Sequence, residues 1–523
     1  MKFASRISEK LVALIVPKPG RRPRIFARVV LRTSGAPRAW LGARWQARIR
    51  HRLLVNWLVE VQGIPVSDGR VAMEALPSGS IEKCAGVTII RDAAPGVMLL
   101  MEPDASIIAG GAARLVKSLA ASDDAVVAYG DALYADADGR VFDHWLKPPR
   151  MDPLLVARGL LLHGLVAVRE DAPGTAALCN ALREGAEFRQ ALSDFASGMA
   201  ERSCVHCDAP VVLCTPPTPL PAAPPSLPDP LPVASILIPT RNSWDLLSAC
   251  LASLRDTDWP PDRLEIVVID NGSDDPETCR QLEARAATGE ITLLHDNGDF
   301  NFARLNNAAA KAARADLLVL LNNDTVALDG KWLKRLAAYA LQPAIGAVGC
   351  KLLYSDGDVQ HAGMVCGIRG GAQHVFVGID ADAPGYNHLA VVDRSVSVVT
   401  AACLVVRRDA FDRVGGLRKD FAVSYNDVVF CLDLMAEGYR NVCVGTPLFV
   451  HGESRSRGRD TDTAKRRRHR GERAGAFALH PKVFSQDPFY SVHLSRKDDH
   501  ALLPDRLAAN NAWRARPDTN TDQ

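Results

Sequence analysis

The chain has 523 residues, of which 47% are hydrophobic and 23% are charged, as in an ordinary globular protein. This length exceeds what one hydrophobic core usually organises, so we expect about two to four domains. Its 62 Lys and Arg residues nearly balance its 60 Asp and Glu residues, and the formal net charge of +2 argues against a general polyanion-binding protein.

Residues 1–52 form a basic leader that is rich in arginine and poor in acidic residues. Its apolar run, residues 11–16, is shorter than the hydrophobic part of a secretory signal and precedes a Pro-Lys-Pro sequence, so we predict no cleaved signal. No segment approaches the roughly 18 to 20 apolar residues that span a bilayer, and we therefore expect a cytoplasmic protein. The leader is either a solvated arm or a peripheral contact with the inner face of the cytoplasmic membrane; nucleic acid is not an expected partner.

The twelve cysteines are scattered, and several lie within apolar runs, which is typical of buried free thiols in a reducing compartment. Cys204 and Cys207, with Cys214 beyond them, resemble half of a zinc site. No second pair follows at metal-binding spacing, so we favour structural thiols over zinc.

Residues 215–232 are so rich in proline that an extended, semi-rigid linker is the expected structure. We therefore divide the chain into five parts. They are the leader 1–52, a first domain 53–214, the linker 215–232, a second domain 233–460, and a basic C-terminal extension 461–523 that packs on the second domain or trails it.

The two domains are similar to each other in sequence. When the first is shifted forward by 220 residues, Leu100 falls on Leu320 and Asp104 on Asp324 without a gap. Further matches are Gly110 with Gly330, residues 133–134 with 353–354, Asp136 with Asp356, and, after an insertion in the second copy, residues 168–169 with 406–407. We infer a duplicated α/β unit, with chance similarity between short apolar runs as the alternative.

The first copy differs from the second at the position where the second is most polar. It has Pro103 where the second has Asn323, and proline fixes the backbone and removes a hydrogen-bond donor. We also find no convincing nucleotide-binding half before it. We therefore predict an accessory role for the first domain, with acceptor binding as one possibility, and no catalysis.

Three predicted strands of the second domain end at polar residues, and a helix follows the first. They are strand 235–238 before Pro239 and Thr240, strand 264–269 before Asp270, and strand 317–321 before Asn322, Asn323 and Asp324. In an open parallel sheet, ligands bind in the crevice outside the carboxyl ends of the strands. The local alternatives are an Asx turn at Asp270 and a turn that caps a helix beginning near Leu328.

The remainder of the second domain supplies further candidate groups. The predicted elements are a helix at 302–313, strands near 347–353 and 396–406, a helix at 428–437 after Asp427, and a strand at 441–450 before His451. Asp324 has the oxygen ligands that Mg²⁺ and Mn²⁺ prefer, Asn322 offers a weaker one, and His451 suits Mn²⁺. A single histidine at a strand end is more often a surface or core residue than a ligand.

Two further assignments follow from charge and position. Asp427 is either a general base for an acceptor hydroxyl or a negative charge that complements the helix dipole, and the two roles are compatible. Arg455 and Arg457 lie in a glycine-flanked stretch and could neutralise a leaving diphosphate. The sequence contains neither GxGxxG nor GxxxxGK[ST], which argues against a dinucleotide oxidoreductase and a P-loop enzyme.

Taken in order, the motifs of the second domain resemble those of family 2 glycosyltransferases with the GT-A fold, especially rhamnosyltransferase-like members that build O-antigen or cell-wall polysaccharide. The resembling segments are 238–242, 268–273, 300–307, 321–325, 360–363, 414–417, 426–427 and 451–454. The fold that the resemblance implies is α/β, with a Rossmann-like GT-A catalytic domain preceded by a degenerate, truncated GT-A-like domain.

The resemblance also implies a reaction and a set of roles. The reaction is an inverting, metal-dependent transfer of a sugar, with rhamnose the first guess, from a nucleotide-diphospho-sugar to a glycan or lipid-linked acceptor. On this basis Asp427 is the base, Asp324, Asn322 and His451 hold Mg²⁺ or Mn²⁺, and the nucleotide-sugar contacts are Pro239, Thr240, Asn242, Asp270, Asn306, Asn323, Arg455 and Arg457. Asn322 stands where the family commonly has aspartate, and Asn426 stands where many relatives have glutamate.

Two other function classes remain open at this point. A non-catalytic glycan-binding or assembly subunit built on the same scaffold would bind nucleotide without metal, or not at all. A sugar nucleotidyltransferase would need a glycine-rich, lysine-bearing loop after the first strand, which residues 239–242 do not supply.

Overall fold

The computed structural model describes residues 53–59, 62–77, 79–84, 86–452 and 463–497. The leader with its expected membrane contact, and also Arg455 and Arg457, lie outside the described residues. The chain forms two compact units, the first running to Pro221 and including residues 490–497, and the second running from Ala222 to Phe489. Within the described ranges, no helix combines the length and the apolar character needed to cross a membrane.

The first unit is built around a mixed sheet with helices beside it. Its strands are β1 Val66–Ser67, β2 Arg70–Val71, β3 Ser80–Cys84, β4 Val87–Ala94, β5 Val97–Met101, β6 Ser106–Ile107, β7 Val127–Ala135, β8 Val141–Trp145, β9 Leu165–Arg169 and β10 Cys204–Cys214. Its helices are α1 at 53–59, α2 Gly111–Ala120, α3 Pro153–Ala157, α4 Thr175–Arg183 and α5 Phe188–Ala196, with a short 3₁₀ turn at Glu201–Ser203.

The second unit has a larger mixed sheet. Its strands are β11 Ala234–Thr240, β12 Leu264–Asp270, β13 Thr292–His295, β14 Leu317–Leu321, β15 Thr325–Ala327, β16 Ile345–Leu353, β17 Val359–His361, β18 Met364–Cys366, β19 Ala372–His374, β20 Arg394–Val396, β21 Cys403–Arg407 and β22 Arg440–His451. Its helices are α6 Trp244–Leu254, α7 Pro276–Ala287, α8 Phe302–Ala312, α9 Trp332–Ala340, α10 Arg408–Arg413, α11 Asn426–Ala436, α12 Thr463–Leu479 and α13 Pro481–Ser485, with 3₁₀ turns at Pro261–Arg263, Ile368–Gly370 and Tyr386–His388.

The strand order of the second sheet is β13-β12-β11-β14-β21-β16-β22-β15, with β11 to β14 parallel as predicted. All five residues of β14 are buried, and the strand is internal to the sheet, between β11 and β21. Pro239 is tolerated in β11 because β14 pairs only as far as Leu237, so no strand on that side needs the missing amide proton. The carboxyl ends of β11, β12 and β14 therefore define one edge of the sheet.

Two predicted elements of this unit were wrong in detail. The chain after Asp324 does not enter a helix near Leu328; it forms β15, which pairs antiparallel with the end of β22, and the helix begins at Trp332. The single strand expected at 396–406 is two strands, because β20 pairs with β22 whereas β21 inserts between β14 and β16. Both differences arise from long-range strand pairing, which local sequence does not encode.

The predicted duplication is visible in the sheets. The order β5-β9-β7-β10-β6 in the first unit repeats as β14-β21-β16-β22-β15 in the second, with the same parallel and antiparallel pairs. The register repeats too, since Val97 faces Arg169 in one unit and Leu317 faces Arg407 in the other. Beyond β5, however, the first unit has the antiparallel strands β4 and β3, where the second has the parallel strands β11 and β12. The described part of the first unit thus repeats only the later half of the second, which confirms the α/β class with a truncated first copy.

Candidate functional site

The site is centred on the link between β14 and β15, which is only the three residues 322–324 long. The antiparallel pairing of β15 with β22 sets Thr325 opposite His451, and this register brings the imidazole to the link. His451 Nε2 lies 3.2 Å from Asp324 Oδ1 and 3.2 Å from Asn322 Nδ2. The three residues predicted to hold a metal are therefore adjacent in the fold, although 129 residues separate Asn322 from His451.

Gln360 fixes the orientation of the His451 ring. Its Oε1 lies 2.7 Å from His451 Nδ1, and its Nε2 donates a hydrogen bond to the backbone oxygen of His451 at 3.3 Å. Because a carbonyl oxygen can only accept, His451 Nδ1 donates to Gln360, and Nε2 is the ring atom that faces Asp324 and Asn322. Gln360 is buried and acts as the outer partner that metal-binding histidines usually have.

The chemistry of this donor set fits a divalent cation. A carboxylate oxygen and an imidazole nitrogen face each other at 3.2 Å, close to the separation of two ligand atoms bound to one ion. Turning the Asn322 amide by half a rotation would exchange its nitrogen for an oxygen ligand, and amide orientation is a matter of hydrogen-bond assignment. One carboxylate, one imidazole and one amide match Mn²⁺ better than Mg²⁺, which prefers oxygen ligands alone.

Thr240, Asp270 and Asn323 lie together at the predicted nucleotide side. Thr240 and Asp270 are register partners in the parallel β11–β12 pair, and both are buried. Asn323 Nδ2 donates to Thr240 Oγ1 at 3.0 Å, so the middle residue of the link ties β14 to the end of β11. Asp270 accepts hydrogen bonds from the Ser273 amide and hydroxyl, which is the expected turn geometry and leaves its ligand role a prediction.

Asn242 holds two loops together. Its Oδ1 accepts from the backbone amides of Asp274 and Asp275 at 3.0 Å, and its Nδ2 donates to Asp274 Oδ1 at 2.8 Å. The residue adopts a φ of 53°, a left-handed conformation that asparagine tolerates better than most residues. These contacts connect the loops after β11 and β12, so Asn242 shapes the crevice edge.

Pro239 and Asn306 have different surroundings. Pro239 is partly exposed near the end of β11. Asn306 is buried in α8, where its Nδ2 donates to the Phe302 backbone oxygen at 2.9 Å and its Oδ1 has no hydrogen-bond partner among the described residues. Contact of either residue with a nucleotide-sugar remains a prediction.

Asp427 lies in the first turn of α11 and is connected to the metal side of the site. Its Oδ2 accepts a hydrogen bond from the Ala401 amide at 3.2 Å, and the adjacent Ala402 accepts one from the Asn322 amide at 3.1 Å. Two consecutive alanines thus join the base candidate to the β14–β15 link. The carboxylate is half-buried at a helix N-terminus, where the helix dipole stabilises negative charge.

The loop before Asp427 is held by a residue that the sequence did not single out. Glu472 of α12 accepts hydrogen bonds from the backbone amides of Val423 and Ser424, at 3.2 and 2.9 Å. Tyr425, the residue before α11, adopts a φ of 61°, so the chain turns sharply just ahead of Asp427. The predicted basic extension therefore includes a helix, α12, that supports the loop before Asp427. Glu472 is a buried glutamate among the arginines of this helix, and this acidic residue in a basic stretch is the sequence feature that could have indicated the contact.

The first unit has altered residues at the equivalent positions. Glu102 and Asp104 stand 220 residues before Asn322 and Asp324, and the sheet register sets Cys214 where the second unit has His451. Asp104 is exposed and accepts a hydrogen bond from the Thr215 hydroxyl. Burial, followed by the nearby Asp104 carboxylate, raises the pKa of Glu102 to about 7, with Arg189 opposing the shift from 3.8 Å.

This raised pKa predicts a pH-dependent stability. Below the ordinary value of 4.5 both states of Glu102 are protonated, and between 4.5 and about 7 folding takes up a proton, so stability falls as pH rises. The cost above pH 7 is on the order of 3 kcal/mol. We expect Glu102→Gln to raise the free energy of unfolding near pH 8 and to change it little near pH 4.5, as measured by denaturant titration. Glu184→Gln, at an exposed glutamate of the same unit, should show no such difference; a similar gain there would contradict the assignment.

Part of the second unit is similar to known proteins. Residues 235–415 match the family described as Glycosyl transferase family 2. The chain is 38% identical over 232 residues to the O-antigen biosynthesis protein RfbC of Myxococcus xanthus, covering 44% of this chain and 18% of that one. It is 28% identical over 252 residues to the N-acetylglucosaminyl-diphospho-decaprenol L-rhamnosyltransferase of Mycobacterium tuberculosis, covering 44% and 79%.

A solved structure of the mannosyltransferase PcManGT from Pyrobaculum calidifontis, with GDP-Man and Mn²⁺, is similar at 22% identity and a TM-score of 0.36, covering 50% of this chain and 66% of that one. The chain spans less than a third of the length of the first curated relatives that it matches, 27% and 18%. The family match ends before Asp427 and His451, which the fold itself brings to the site. Residues 235–415 therefore form a glycosyltransferase family 2 domain, and the unit that contains them has the α/β architecture predicted from the sequence.

Proposed function

We propose that the second unit is an inverting, metal-dependent glycosyltransferase that moves a sugar from a nucleotide-diphospho-sugar to a glycan or lipid-linked acceptor in surface polysaccharide biosynthesis. The observation that carries the proposal is the convergence of Asp324 and His451 at 3.2 Å, with the His451 ring oriented by Gln360. A bound divalent cation would neutralise the diphosphate leaving group there.

The residues of the chain supply the remaining functions. Asp427 accepts the proton of the acceptor hydroxyl, whose oxygen attacks the anomeric carbon from the face opposite the diphosphate. The bond from that carbon to the diphosphate oxygen breaks as the new bond forms, and the configuration inverts. Thr240 and Asp270 contact the nucleotide at the ends of β11 and β12, and Asn323 links β14 to Thr240 beside them.

Rhamnose is the sugar that we propose first. The relative from Mycobacterium tuberculosis is named as an L-rhamnosyltransferase, and its name gives a diphospho-lipid as acceptor. We extend the proposal to a cytoplasmic reaction at lipid-linked acceptors, which the basic character of residues 1–52 supports. The first unit has an accessory role in this scheme, because its copy of the site carries neither the asparagine nor the histidine.

Donor binding tests the proposal directly. We expect one sugar among UDP-, dTDP- and GDP-linked donors to raise the unfolding temperature of the second unit in the presence of Mn²⁺ or Mg²⁺, and the shift to vanish with EDTA. At a donor concentration 100 times its dissociation constant the stabilisation is about 2.7 kcal/mol. A donor shift that is indifferent to EDTA, or no shift with any donor, would contradict metal-dependent transfer and favour a glycan-binding subunit.

A further inference from the structure

A second cluster of metal-binding side chains lies in the first unit, away from the predicted donor site. Ligand atoms of Asp131, Asp208 and His493 all lie within 4.8 Å of one another. Asp131 is in β7, Asp208 is in β10, and His493 belongs to the segment 490–497 that returns to this unit. Three separate parts of the chain thus converge on one point.

His206 adds a fourth candidate ligand from β10. Its Nε2 lies 2.9 Å from Asp131 Oδ1, and only 4% of its side chain is exposed. The register of β10 against β7 shifts between Cys207 and Pro210, so Asp208 lies in a bulged stretch. Bulges redirect side chains that a regular strand would point elsewhere. Residues two apart on a strand share a face, and Asp208 keeps its carboxylate within reach of Asp131 although it lies in the bulge.

The carboxylate of Asp131 has an unused oxygen. Its Oδ1 accepts hydrogen bonds from the Lys147 amide at 2.8 Å and from His206, whereas its Oδ2 is buried without a hydrogen-bond partner among the described residues. Asp131 is fully buried. Burying a carboxylate oxygen without a hydrogen-bond donor costs free energy of folding. A further positively charged group beside Asp131 Oδ2 would remove this cost.

Among the described residues, no cationic side chain donates a hydrogen bond to Asp131 Oδ2. The ammonium of Lys147 donates to the His163 backbone oxygen at 3.4 Å, not to Asp131. His493 Nε2 lies 2.9 Å from Asp208 Oδ1 and 3.3 Å from Gln62 Nε2. Two histidine–aspartate hydrogen bonds are the simpler explanation of this geometry, but they leave Asp131 Oδ2 unexplained.

We propose that Asp131, His206, Asp208 and His493 form a Zn²⁺ site in the first unit. Two carboxylates and two imidazoles are a tetrahedral donor set that zinc accepts, with bonds of about 2.0 to 2.2 Å. Such bonds separate neighbouring ligand atoms by about 3.3 Å. On binding zinc, the His206–Asp131 and His493–Asp208 distances would therefore increase slightly from 2.9 Å, and the longer distances between the two pairs would decrease. The ion fastens the returning segment 490–497 to β7 and β10.

The cysteines of the same stretch are not the ligands. Cys204 and Cys207 are buried, but neither thiol is among the groups whose ligand atoms converge within 4.8 Å in the described part of this unit. In this proposal the stretch that resembles half of a zinc site binds the metal through His206 and Asp208, and not through Cys204 and Cys207.

Metal stoichiometry in the full-length protein tests the site. The Asp324→Ala variant removes the predicted donor-site ion, so any zinc it retains belongs elsewhere. We expect this variant, stripped with EDTA and then dialysed against Zn²⁺, to bind one equivalent by elemental analysis. Adding His493→Gln or Asp208→Asn should lower zinc affinity by more than about 100-fold, because losing even an outer-shell partner costs 10- to 100-fold. Adding Asp171→Asn, at an exposed carboxylate of the same unit, should have no effect.

Two outcomes would overturn the proposal. One is that Asp324→Ala binds no zinc, and the other is that His493→Gln and Asp208→Asn bind it as tightly as Asp171→Asn. Both test variants alter partly exposed side chains and so avoid the folding risk of changing the buried Asp131. Cobalt substitution gives a second readout, since tetrahedral Co²⁺ bound to the stripped Asp324→Ala protein should show strong visible absorption that His493→Gln abolishes. Neither measurement depends on glycosyl transfer.

Discussion

Replacing Asp427 with asparagine is expected to lower kcat by on the order of 10² to 10⁴ while leaving the dissociation constant of the donor nearly unchanged. Asparagine has the same shape and can still accept the hydrogen bond from the Ala401 amide through its oxygen, so the turn before α11 should persist. It cannot accept the proton of the acceptor hydroxyl. The loss therefore falls on turnover.

The other role of Asp427, as a charge at a helix N-terminus, predicts a much smaller effect. Removing such a charge typically costs 0.3 to 1 kcal/mol of stability, whereas a 10²-fold loss of rate corresponds to about 2.7 kcal/mol of transition-state stabilisation. Steady-state kinetics and thermal unfolding of the same variant separate the two. A small shift in unfolding temperature with nearly full kcat would show that Asp427 only stabilises α11.

Asp412→Asn is the matched control for this variant. Asp412 is an exposed carboxylate at the end of α10, and the same chemical change there should leave kcat within about twofold of the unmodified protein. If the two variants lost activity equally, general charge would explain the effect, and Asp427 would not be the base.

Sequence patterns predicted those parts of the fold whose signals are local. The five apolar residues of β14 and the polar residues after them indicated a buried strand that ends at a site. The gapless shift of 220 residues predicted the repeated sheet, because the same strands recur with the same register. Both features depend on the order of apolar and polar residues within short segments, which can be read from the sequence.

Contacts made by distant strand pairing could not be predicted in the same way. The hydrogen bond between Gln360 and His451 requires β17 to pair with one side of β16 and β22 to pair with the other. Strand β15 forms only because it pairs with β22. Asn242 illustrates a different difficulty, because its motif position predicts ligand contact but does not show that its side chain also bridges two loops. A motif identifies which residues matter, but the fold decides whether each binds ligand or supports a neighbour.

Replacing Asp324 with alanine is expected to abolish metal-dependent donor binding, so that Mn²⁺ and Mg²⁺ no longer increase the stabilisation by the donor. The change removes the carboxylate that faces His451 at 3.2 Å and leaves one imidazole and one amide, which bind a hard cation weakly. In titrations followed by thermal unfolding or calorimetry, the apparent dissociation constant of the donor in Mn²⁺ should rise to the value measured in EDTA.

The duplicated architecture supplies a control for this variant within the same chain. Asp104 occupies the equivalent position in the first unit, is exposed, and has Cys214 instead of a histidine across the sheet register, so it lacks the imidazole that completes the site. Asp104→Ala should therefore retain metal-dependent donor binding and most of the transfer activity. If it abolished transfer as completely as Asp324→Ala, the first unit would take part in catalysis, and its accessory role would be wrong. If only Asp324→Ala lost metal-dependent donor binding, both units would share the duplicated sheet but only the second would bind the metal. The physical reason is that β22 ends in a histidine, His451, whereas β10 ends in Cys214.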